Sequence, residues 1–282
     1  MNQMKFPNTS LDIADTQSGV DLRNLPIDRV GVKGIRFPVV IDGPDGLKHS
    51  VAQFALSVAL PGDKKGTHMS RFISLLQGFK EAINASSMNS LATQMLPLLE
   101  AQAGSIEAEY THFINKQAPI SGIQSLMDYQ VQWTANAYKN STHETQVDVN
   151  LRVVVPVMSL CPCSKEISEY GAHNQRSHIT ISALIDHQQS LKVEDLVSIA
   201  ESEASSELWG LLKRADEKFV TEKSYDNPKF VEDLVRDVAR RVEADSRILS
   251  FVVEAENFES IHNHSAYARV SGHRGATSKA GL

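Results

Sequence analysis

The sequence predicts an α+β protein made of two units, each with the order strand, strand, helix, helix, strand, strand. Segments with apolar residues at every second position, bounded by turn residues, indicate the strands. Pairs of amphipathic patterns with helical spacing lie between them. The same order occurs at 26–142 and again at 143–272, with little residue identity between the halves. We expect antiparallel sheets with helices on one face, whose edges are covered by pairing between subunits.

The first unit follows a polar stretch, 1–25, which lacks apolar periodicity and is predicted to be a flexible arm. A β-hairpin is predicted from 28–41 and 47–60, because the intervening DGPDG at 42–46 is dense in turn residues. The remaining predicted elements are a helix with Phe72, Ile73, Leu76, Phe79 and Ile83 on one face, a helix at about 89–103, and strands at 106–115 and 124–137.

The second unit opens with a strand in which apolar residues from Val147 to Val155 alternate with more polar ones, so one face is buried. The other predicted elements are a strand at 179–185, a helix at 193–212, a helix that Asn227 and Pro228 open as cap and first-turn residue, and strands at 248–259 and 266–270. Residues 273–282 are predicted to be a flexible tail.

Composition and charge are those of an ordinary globular protein. The chain has 282 residues, of which 41% are hydrophobic and 22% charged. A net charge of −6 argues against nucleic-acid and membrane-surface binding. No apolar run of about 18 residues and no secretory signal is visible, which predicts a cytoplasmic protein. The two cysteines flank one proline, too close for an unstrained disulfide, and are predicted to stay reduced.

Cys161 and Cys163 follow a predicted strand, at the kind of position where catalytic groups often lie. Taken alone, they are as readily explained as two small buried side chains, because the spacing matches no standard structural zinc site. Three histidines, at His173, His262 and His264, lie in polar segments further along. Thiolate, imidazole and carboxylate together form the mixed donor set of catalytic metal sites with an open position for water.

Carboxylates and basic residues supply further candidates. Glu217, Glu232 and Glu259 are the acidic ones, although a solvated loop or a favourable helix N-terminus explains the first two equally well. Lys65, His68 and Arg71 precede or open a helix, where anions can bind, and a second basic group is Lys213 with Arg214. Neither group has a glycine-rich phosphate-loop signature, so an ordinary polar surface remains the alternative.

Six segments together resemble the prokaryotic type IB GTP cyclohydrolases. They are PVMSLCPCSK at 156–165, GAHNQR at 171–176, GTHMSRF at 66–72, LLKR at 211–214 with DEK at 216–218, NPKFVED at 227–233 and ESIHNH at 259–264. The resemblance runs from about residue 26 to the C-terminus. It implies a tandem tunnelling fold, in which subunits assemble into barrels, commonly as a homotetramer with active sites at subunit interfaces.

The resemblance also implies the reaction. GTP and water give 7,8-dihydroneopterin triphosphate and formate, the first step toward folate and deazaguanine tRNA nucleosides, through attack of metal-activated water on C8 of guanine. The divalent metal is expected to be Zn²⁺, Mn²⁺ or Fe²⁺, since the donor mixture suits all three.

Residue roles follow from the matched positions. The resemblance implies that Cys161, His173 and Glu217 hold the metal, that Cys163 is the essential thiol near the purine, and that His262 carries protons. Glu232 or Glu259 is implied to grip the guanine edge, because a carboxylate accepts paired hydrogen bonds from N1–H and the exocyclic amine. The other residues assigned to substrate binding are His264, Lys65, His68, Arg71, Lys213 and Arg214.

Two alternatives stay open at this point. One is a thiol-dependent nitrile reductase of the same fold, which would use a nicotinamide cofactor and no metal. The other is a binding protein in which the cysteines and histidines form a structural metal knot, so that chelation would unfold it.

Overall fold

The structure, a computed structural model, describes residue 17 and residues 19–43 and 46–274. The first unit contains β1 (Ile27–Gly43), β2 (Gly46–Leu60), α1 (Met69–Gly78), β3 (Ala82–Ile83), α2 (Ala85–Leu98), β4 (Ala103–Gln117) and β5 (Gln124–Lys139). The second contains β6 (Thr145–Leu160), α3 (Pro162–Ile167), β7 (Asn174–Ile185), α4 (Val193–Glu203), β8 (Ser206–Glu207), α5 (Arg214–Asp226), α6 (Val231–Ala244), β9 (Ile248–Asn257) and β10 (Ala266–His273).

The ten strands of the described residues belong to one sheet. Its order is β10-β9-β7-β6-β5-β4-β2-β1-β3, and β8 pairs with β6 off this path. Each unit contributes four long antiparallel strands, and the β5–β6 pair joins the units. Among the strands that the structure describes, only the short β3 pairs in parallel, with β1. The predicted α+β class with two ββααββ units is therefore confirmed.

Three of the helices cover one face of this sheet. α2 packs on β4, β5 and β6, α4 packs on β6, and α6 packs on β9 and β10. The alternation predicted for β6 is present, because Leu151, Val153, Val155 and Val157 are each 0% exposed. Burying such side chains supplies the main favourable term in folding.

Truncating the centre of this core should destabilise the protein strongly. Leu151→Ala removes a fully buried side chain from β6, and we expect a loss of about 2–5 kcal/mol in the free energy of unfolding. The matched control is Leu47→Ala, because Leu47 is 69% exposed. Denaturant unfolding of both variants measures the difference, and equal midpoints would contradict this description of the core.

Helix boundaries in the first unit differ from the prediction. α1 ends at Gly78, and Ile83, predicted to lie on its apolar face, instead pairs with Ile41 in β3. α2 begins before the expected residue 89, because Asn84 caps it: the Ser87 amide donates to Asn84 Oδ1 at 2.9 Å. Ile83 is apolar because it is buried in β3, and its spacing from the residues of α1 matches the helical period by coincidence.

The second unit departs further from the prediction. The helix expected at 193–212 ends at Glu203, and β8 and the unpredicted α5 follow. Asn227 and Pro228 do not open a helix, since α6 begins at Val231. Asn227 Nδ2 instead donates to the Ala204 carbonyl at 2.8 Å.

Most of the predicted arm and tail, 1–16, 18 and 275–282, lies outside the described residues. The described end of the arm pairs with the loop after β2, where the Asp21 amide donates to Asp63 O at 2.9 Å and the Lys65 amide donates to Gly19 O at 3.0 Å. None of the helices among the described residues is long and apolar enough to cross a membrane.

The long strands of the sheet run between two ends, here called the site end and the far end. At the site end, β6 ends and β7 begins, with Leu160 opposite Asn174. At the far end, β5 ends and β6 begins, with Lys139 opposite Thr145. The strands between them are long, so the two ends lie roughly 45 Å apart along β6.

Candidate active site

Cys161 and His173 lie next to each other at the site end. The Cys161 amide donates to His173 O at 3.1 Å, just past the last pair of β6 and β7. Ser164 ties the two segments together, since its hydroxyl donates to Cys161 O at 3.1 Å and accepts from the His173 amide at 3.2 Å. The polar residues directly after β6 and directly before β7 thus meet at the end of this strand pair.

The proline between the cysteines starts a helix rather than an extended segment. Pro162 occupies the first turn of α3, and Cys161 is its N-cap, with the Ser164 amide 3.5 Å from Sγ. Cys163 then falls in the first helical turn and is exposed, whereas Cys161 is half-buried. The two thiols therefore have different surroundings, which supports different duties.

His173 and Glu259 are close neighbours, and both side chains are 15% exposed. His173 Nδ1 lies 3.9 Å from Glu259 Oε2 and 3.0 Å from Gln175 Oε1. Gln175 Nε2 in turn lies 3.5 Å from Glu259 Oε1. The Glu259 carboxylate therefore lies beside His173 and Gln175.

Near the site end, β5 of the first unit and β6 of the second unit are no longer paired. β5 and β6 pair only as far as Gln130 and Val154, and β8 pairs with β6 in place of β5. The segment after β8 lies against the start of β5. Gly210 approaches Leu126 so closely that a Cβ on residue 210 would lie 2.7 Å from Leu126 O. The chain thus fills the gap and carries α5 to this end.

Asp216 anchors the start of α5. It is 0% exposed, and its carboxylate accepts hydrogen bonds from the Ser121 hydroxyl and amide, the Ile120 amide and the Lys213 amide, at 2.6–2.8 Å. Burial alone raises the pKa of this carboxyl, but the hydrogen bonds from Ser121, Lys213 and Ile120 outweigh it, so the pKa lies below its usual range. Glu217, Lys213 and Arg214, all exposed, are therefore held beside the β4–β5 loop.

The start of α6 also adjoins the thiols. The Lys229 amide donates to Leu160 O at 3.1 Å, directly before Cys161. Glu232 follows in the first turn of α6 and is exposed. Lys165 of α3 contacts the end of α5, with Nζ 4.2 Å from the ring centroid of Tyr225.

The turn between β9 and β10 carries the remaining histidines. His262 and His264 are exposed, and their rings stack with centroids 5.0 Å apart. The His262 amide donates to Glu259 O at 3.3 Å, so the pair follows directly on Glu259. On the neighbouring strand, burial lowers the pKa of His178, whose ring meets Phe258 edge-on.

Three predicted substrate residues lie elsewhere. Lys65, His68 and Arg71 follow β2, at the far end of the sheet, and Arg71 binds Leu98 O at 3.1 Å and Glu100 at 3.0 Å just before β4. One chain therefore does not bring them to Cys161.

The predicted metal ligands are only partly assembled in one chain. Cys161 and His173 are adjacent, but among the described residues no three His, Cys, Asp or Glu side chains are arranged to hold a metal ion. A thiol beside an imidazole fits zinc or iron by its chemistry, and a carboxylate as third ligand would make the donor set suitable for manganese as well. Glu217 as the third ligand stays a prediction.

Sequence reasoning missed the polar residues behind this site. Ser159, Gln175, Ser177 and Asn257 are buried on the helix-covered face of three adjacent strands. The sequence does carry a signal for them: each is a polar residue at a position where the alternation of its strand calls for a buried apolar one.

Comparison with known proteins identifies the family. A family model described as type I GTP cyclohydrolase folE2 matches residues 13–268, which include all the segments above. The chain belongs to this family. Among FolE2 relatives, "GTP cyclohydrolase FolE2" of Polynucleobacter asymbioticus is 61% identical over 257 residues, covering 91% of this chain and 94% of that protein. The protein of the same name in Paraburkholderia phymatum is 57% identical over 270 residues, covering 95% and 97%.

Solved structures identify the fold of this FolE2 family member. A urate oxidase mutant from Bacillus sp. TB-90 has a TM-score of 0.56 at 9% identity, covering 88% of this chain and 100% of that chain. The urate oxidase of Bacillus subtilis 168 has a TM-score of 0.54 at 8% identity, covering 87% and 98%. At such low identity the likeness shows the fold alone, and it confirms the tunnelling fold.

Proposed function

We propose that this chain is a GTP cyclohydrolase that converts GTP and water to 7,8-dihydroneopterin triphosphate and formate. The observation that carries the proposal is the family match across 13–268, within which Cys161 and His173 meet at the site end. The comparisons give no support to the nitrile reductase, and the relatives are instead named GTP cyclohydrolase. Supply of folate and deazaguanine precursors, and a place in the cytoplasm, belong to the same proposal.

We further propose a divalent metal, Zn²⁺, Mn²⁺ or Fe²⁺, held by Cys161, His173 and Glu217. Such an ion supplies a water whose pKa is lowered toward neutrality and which can attack C8 of guanine. Cys161 and His173 are oriented by backbone hydrogen bonds between their segments, so their spacing is fixed before any ligand arrives. Glu217 would have to come from α5, whose start Asp216 fixes.

Cys163 and His262 are the proposed proton carriers. Both are exposed at the site end, Cys163 in the first turn of α3 and His262 in the β9–β10 turn. Opening the imidazole ring requires a proton on the first nitrogen that leaves C8, and the carbon then remains as a formyl group on the other nitrogen. A second water releases it as formate with protonation of that nitrogen, and the later ring closure returns one water, so one water is consumed overall. Thiol and imidazole are suited to this transfer near neutral pH.

Glu232 is the better candidate for the guanine edge. Its carboxylate is exposed at the start of α6, next to the thiols, and can accept from N1–H and the exocyclic amine. Glu259 lies against His173 and Gln175 instead, so it is less free to face a purine. His264 would lie at the margin of the same site.

The basic residues are proposed to hold the triphosphate from two subunits. Lys213 and Arg214 lie at the site end, while Lys65, His68 and Arg71 lie at the far end. If both groups contact one GTP, the second group must come from a neighbouring subunit. We therefore propose a homo-oligomer, with the tetramer as the expected form, in which an interface between subunits brings the two groups together.

The surface around the site end supports such an interface. Ile167 is 82% exposed, Tyr170 98% and Ile261 64%, which is unusual for apolar and aromatic side chains grouped at one edge. The strand β10 also has β9 as its only partner within the described part of the chain, so its outer edge is open for pairing.

Mixed oligomers test whether the site is shared. Cys163→Ala and Lys65→Ala are each expected to be nearly inactive alone, the first in chemistry and the second through a raised KM for GTP. Co-expressed in equal amounts, they should regain about a quarter of wild-type activity, because a quarter of the shared sites combine two intact residues. Recovery no better than either variant alone would show that the two residues do not meet across an interface.

The proposed reaction is tested by incubating the purified protein with GTP and each metal. A pterin that fluoresces after oxidation is expected, in step with loss of GTP. Absence of this product with all three metals would contradict the proposed function. Oxidation of a reduced nicotinamide cofactor in the presence of a deazapurine nitrile would instead support the nitrile reductase.

A further inference from the structure

A chain of buried polar side chains runs behind His173 across three strands. Gln175 Nε2 donates to Ser159 Oγ at 3.0 Å, Ser159 Oγ lies 2.7 Å from Ser177 Oγ, and Ser177 Oγ donates to Asn257 Oδ1 at 2.7 Å. The exposed fractions are 8% for Gln175, 0% for both serines and 2% for Asn257. Water does not compete for these bonds, so the direction of each donor matters.

Two directions of the chain are geometrically possible, because an amide can be turned over and hydroxyls rotate. In one, Gln175 donates to Ser159 and each hydroxyl donates onward to Asn257 Oδ1. In the other, Asn257 donates and every bond is reversed, which leaves the Gln175 oxygen facing Ser159.

Glu259 selects between these directions. Its Oε1 lies 3.5 Å from the Gln175 atom that faces Ser159. In the reversed chain that atom would be an oxygen, and two acceptor oxygens would face each other without a proton between them. With nitrogen in this place, Gln175 donates toward both Ser159 and the Glu259 carboxylate. The first direction is therefore favoured.

The orientation of Gln175 decides the tautomer of the neutral imidazole. Its Oε1 then faces His173 Nδ1 at 3.0 Å and can only accept, so Nδ1 must carry the hydrogen. Glu259 Oε2, 3.9 Å from Nδ1, favours a hydrogen there as well. Nε2 is left with a free lone pair, which is the form a metal binds.

We propose that Gln175 is a positioning residue that holds His173 in the Nδ1–H form and presents Nε2 as the metal-binding atom. The metal part of this inference rests on the proposed function; the tautomer rests on the hydrogen bonds alone. Gln175 acts through His173 and touches neither metal nor GTP. Ser159 and Glu259 hold the Gln175 amide directly, whereas Ser177 and Asn257 continue the chain beyond Ser159.

The test compares Gln175→Leu with Ser177→Ala. The leucine variant removes the acceptor for Nδ1–H and keeps a side chain of similar size. The alanine variant breaks the same buried chain away from His173, so it serves as the control for structural damage. Zn²⁺ affinity is measured on metal-free protein by competition with a chelator, without GTP, and Tm is measured alongside.

We expect Gln175→Leu to weaken Zn²⁺ binding by about 10–100-fold. Ser177→Ala should weaken it by less than about 3-fold, even if its Tm falls by as much as that of Gln175→Leu. Nitrogen NMR of histidine-labelled, metal-free protein, assigned with His173→Ala, should show a protonated Nδ1 in the wild type and a mixture in Gln175→Leu. Unchanged affinity and spectrum in Gln175→Leu, or an Nε2–H form in the wild type, would overturn the proposal.

The outcomes separate this inference from the proposed function. A wild type that is Nδ1–H but binds no Zn²⁺, Mn²⁺ or Fe²⁺ overturns the metal-presenting role of Gln175 and leaves the tautomer assignment standing. A protein with the expected Gln175 behaviour that releases no formate from GTP overturns the proposed reaction and supports the positioning role.

Discussion

Cys163→Ala is expected to lower kcat for formate release from GTP by about 10²–10⁴-fold, the usual effect of removing a proton-transfer group. The thiol is exposed in the first turn of α3, and the hydrogen bonds that join α3 to His173 come from Cys161 and Ser164 instead. Its loss should therefore leave the neighbouring structure in place. Formate and metal content are measured on the same preparation, with Tm as the test of folding.

Ser164→Ala is the informative control for this variant. It removes the hydroxyl that ties Cys161 to His173, so it should reduce metal content as well as activity. A Cys163→Ala protein that turns over GTP at the wild-type rate would rule out the thiol as a proton carrier. One that loses its metal would move Cys163 to the ligand set.

Cys161→Ser should abolish metal retention and with it the reaction. Serine keeps an oxygen that can accept from the Ser164 amide at the start of α3, so the cap is preserved. A hydroxyl is a much poorer ligand than a thiolate for zinc or iron, and losing one of three ligands should weaken binding by roughly 10³-fold or more.

Metal analysis after dialysis measures this loss, and the Tm of metal-free wild type and variant should agree within about 3 °C. Equal metal content in Cys161→Ser and wild type would contradict the proposed ligand. Unfolding of the wild type on chelation would instead support a structural metal, which the sequence left open as an alternative.

The strands were predictable because their alternation is local. The pattern from Val147 to Val155 gives the buried face of β6 directly, and the turn residues at 42–46 give the first hairpin, whose described ends pair as Gly43 with Gly46. Boundaries failed where packing overrode the pattern, as for Ile83. α5 was missed because it buries only Asp216, Val220 and Ser224, which leaves no apolar stripe to recognise.

The site was predictable to the extent that its residues follow strands. Cys161 and His173 come after β6 and before β7, so pairing of these strands brings them together. The support behind them was not predictable, since Asp216 binds Ser121, far away in sequence, and Gln175 contacts Ser159 and Glu259. Such contacts exist only once the sheet has formed. Residues at the far end, such as Lys65, need a subunit arrangement that one sequence does not give.

The central claim, metal-dependent hydrolysis at C8 of GTP, is tested most directly by following that carbon. GTP labelled at C8 is incubated with chelated protein and with protein reloaded with Zn²⁺, Mn²⁺ or Fe²⁺. We expect the label to appear in formate, one per pterin formed, only in reloaded samples, and not with Cys163→Ala. Label that stays with the nucleotide in every sample, or formate released equally by the chelated protein, would contradict the claim.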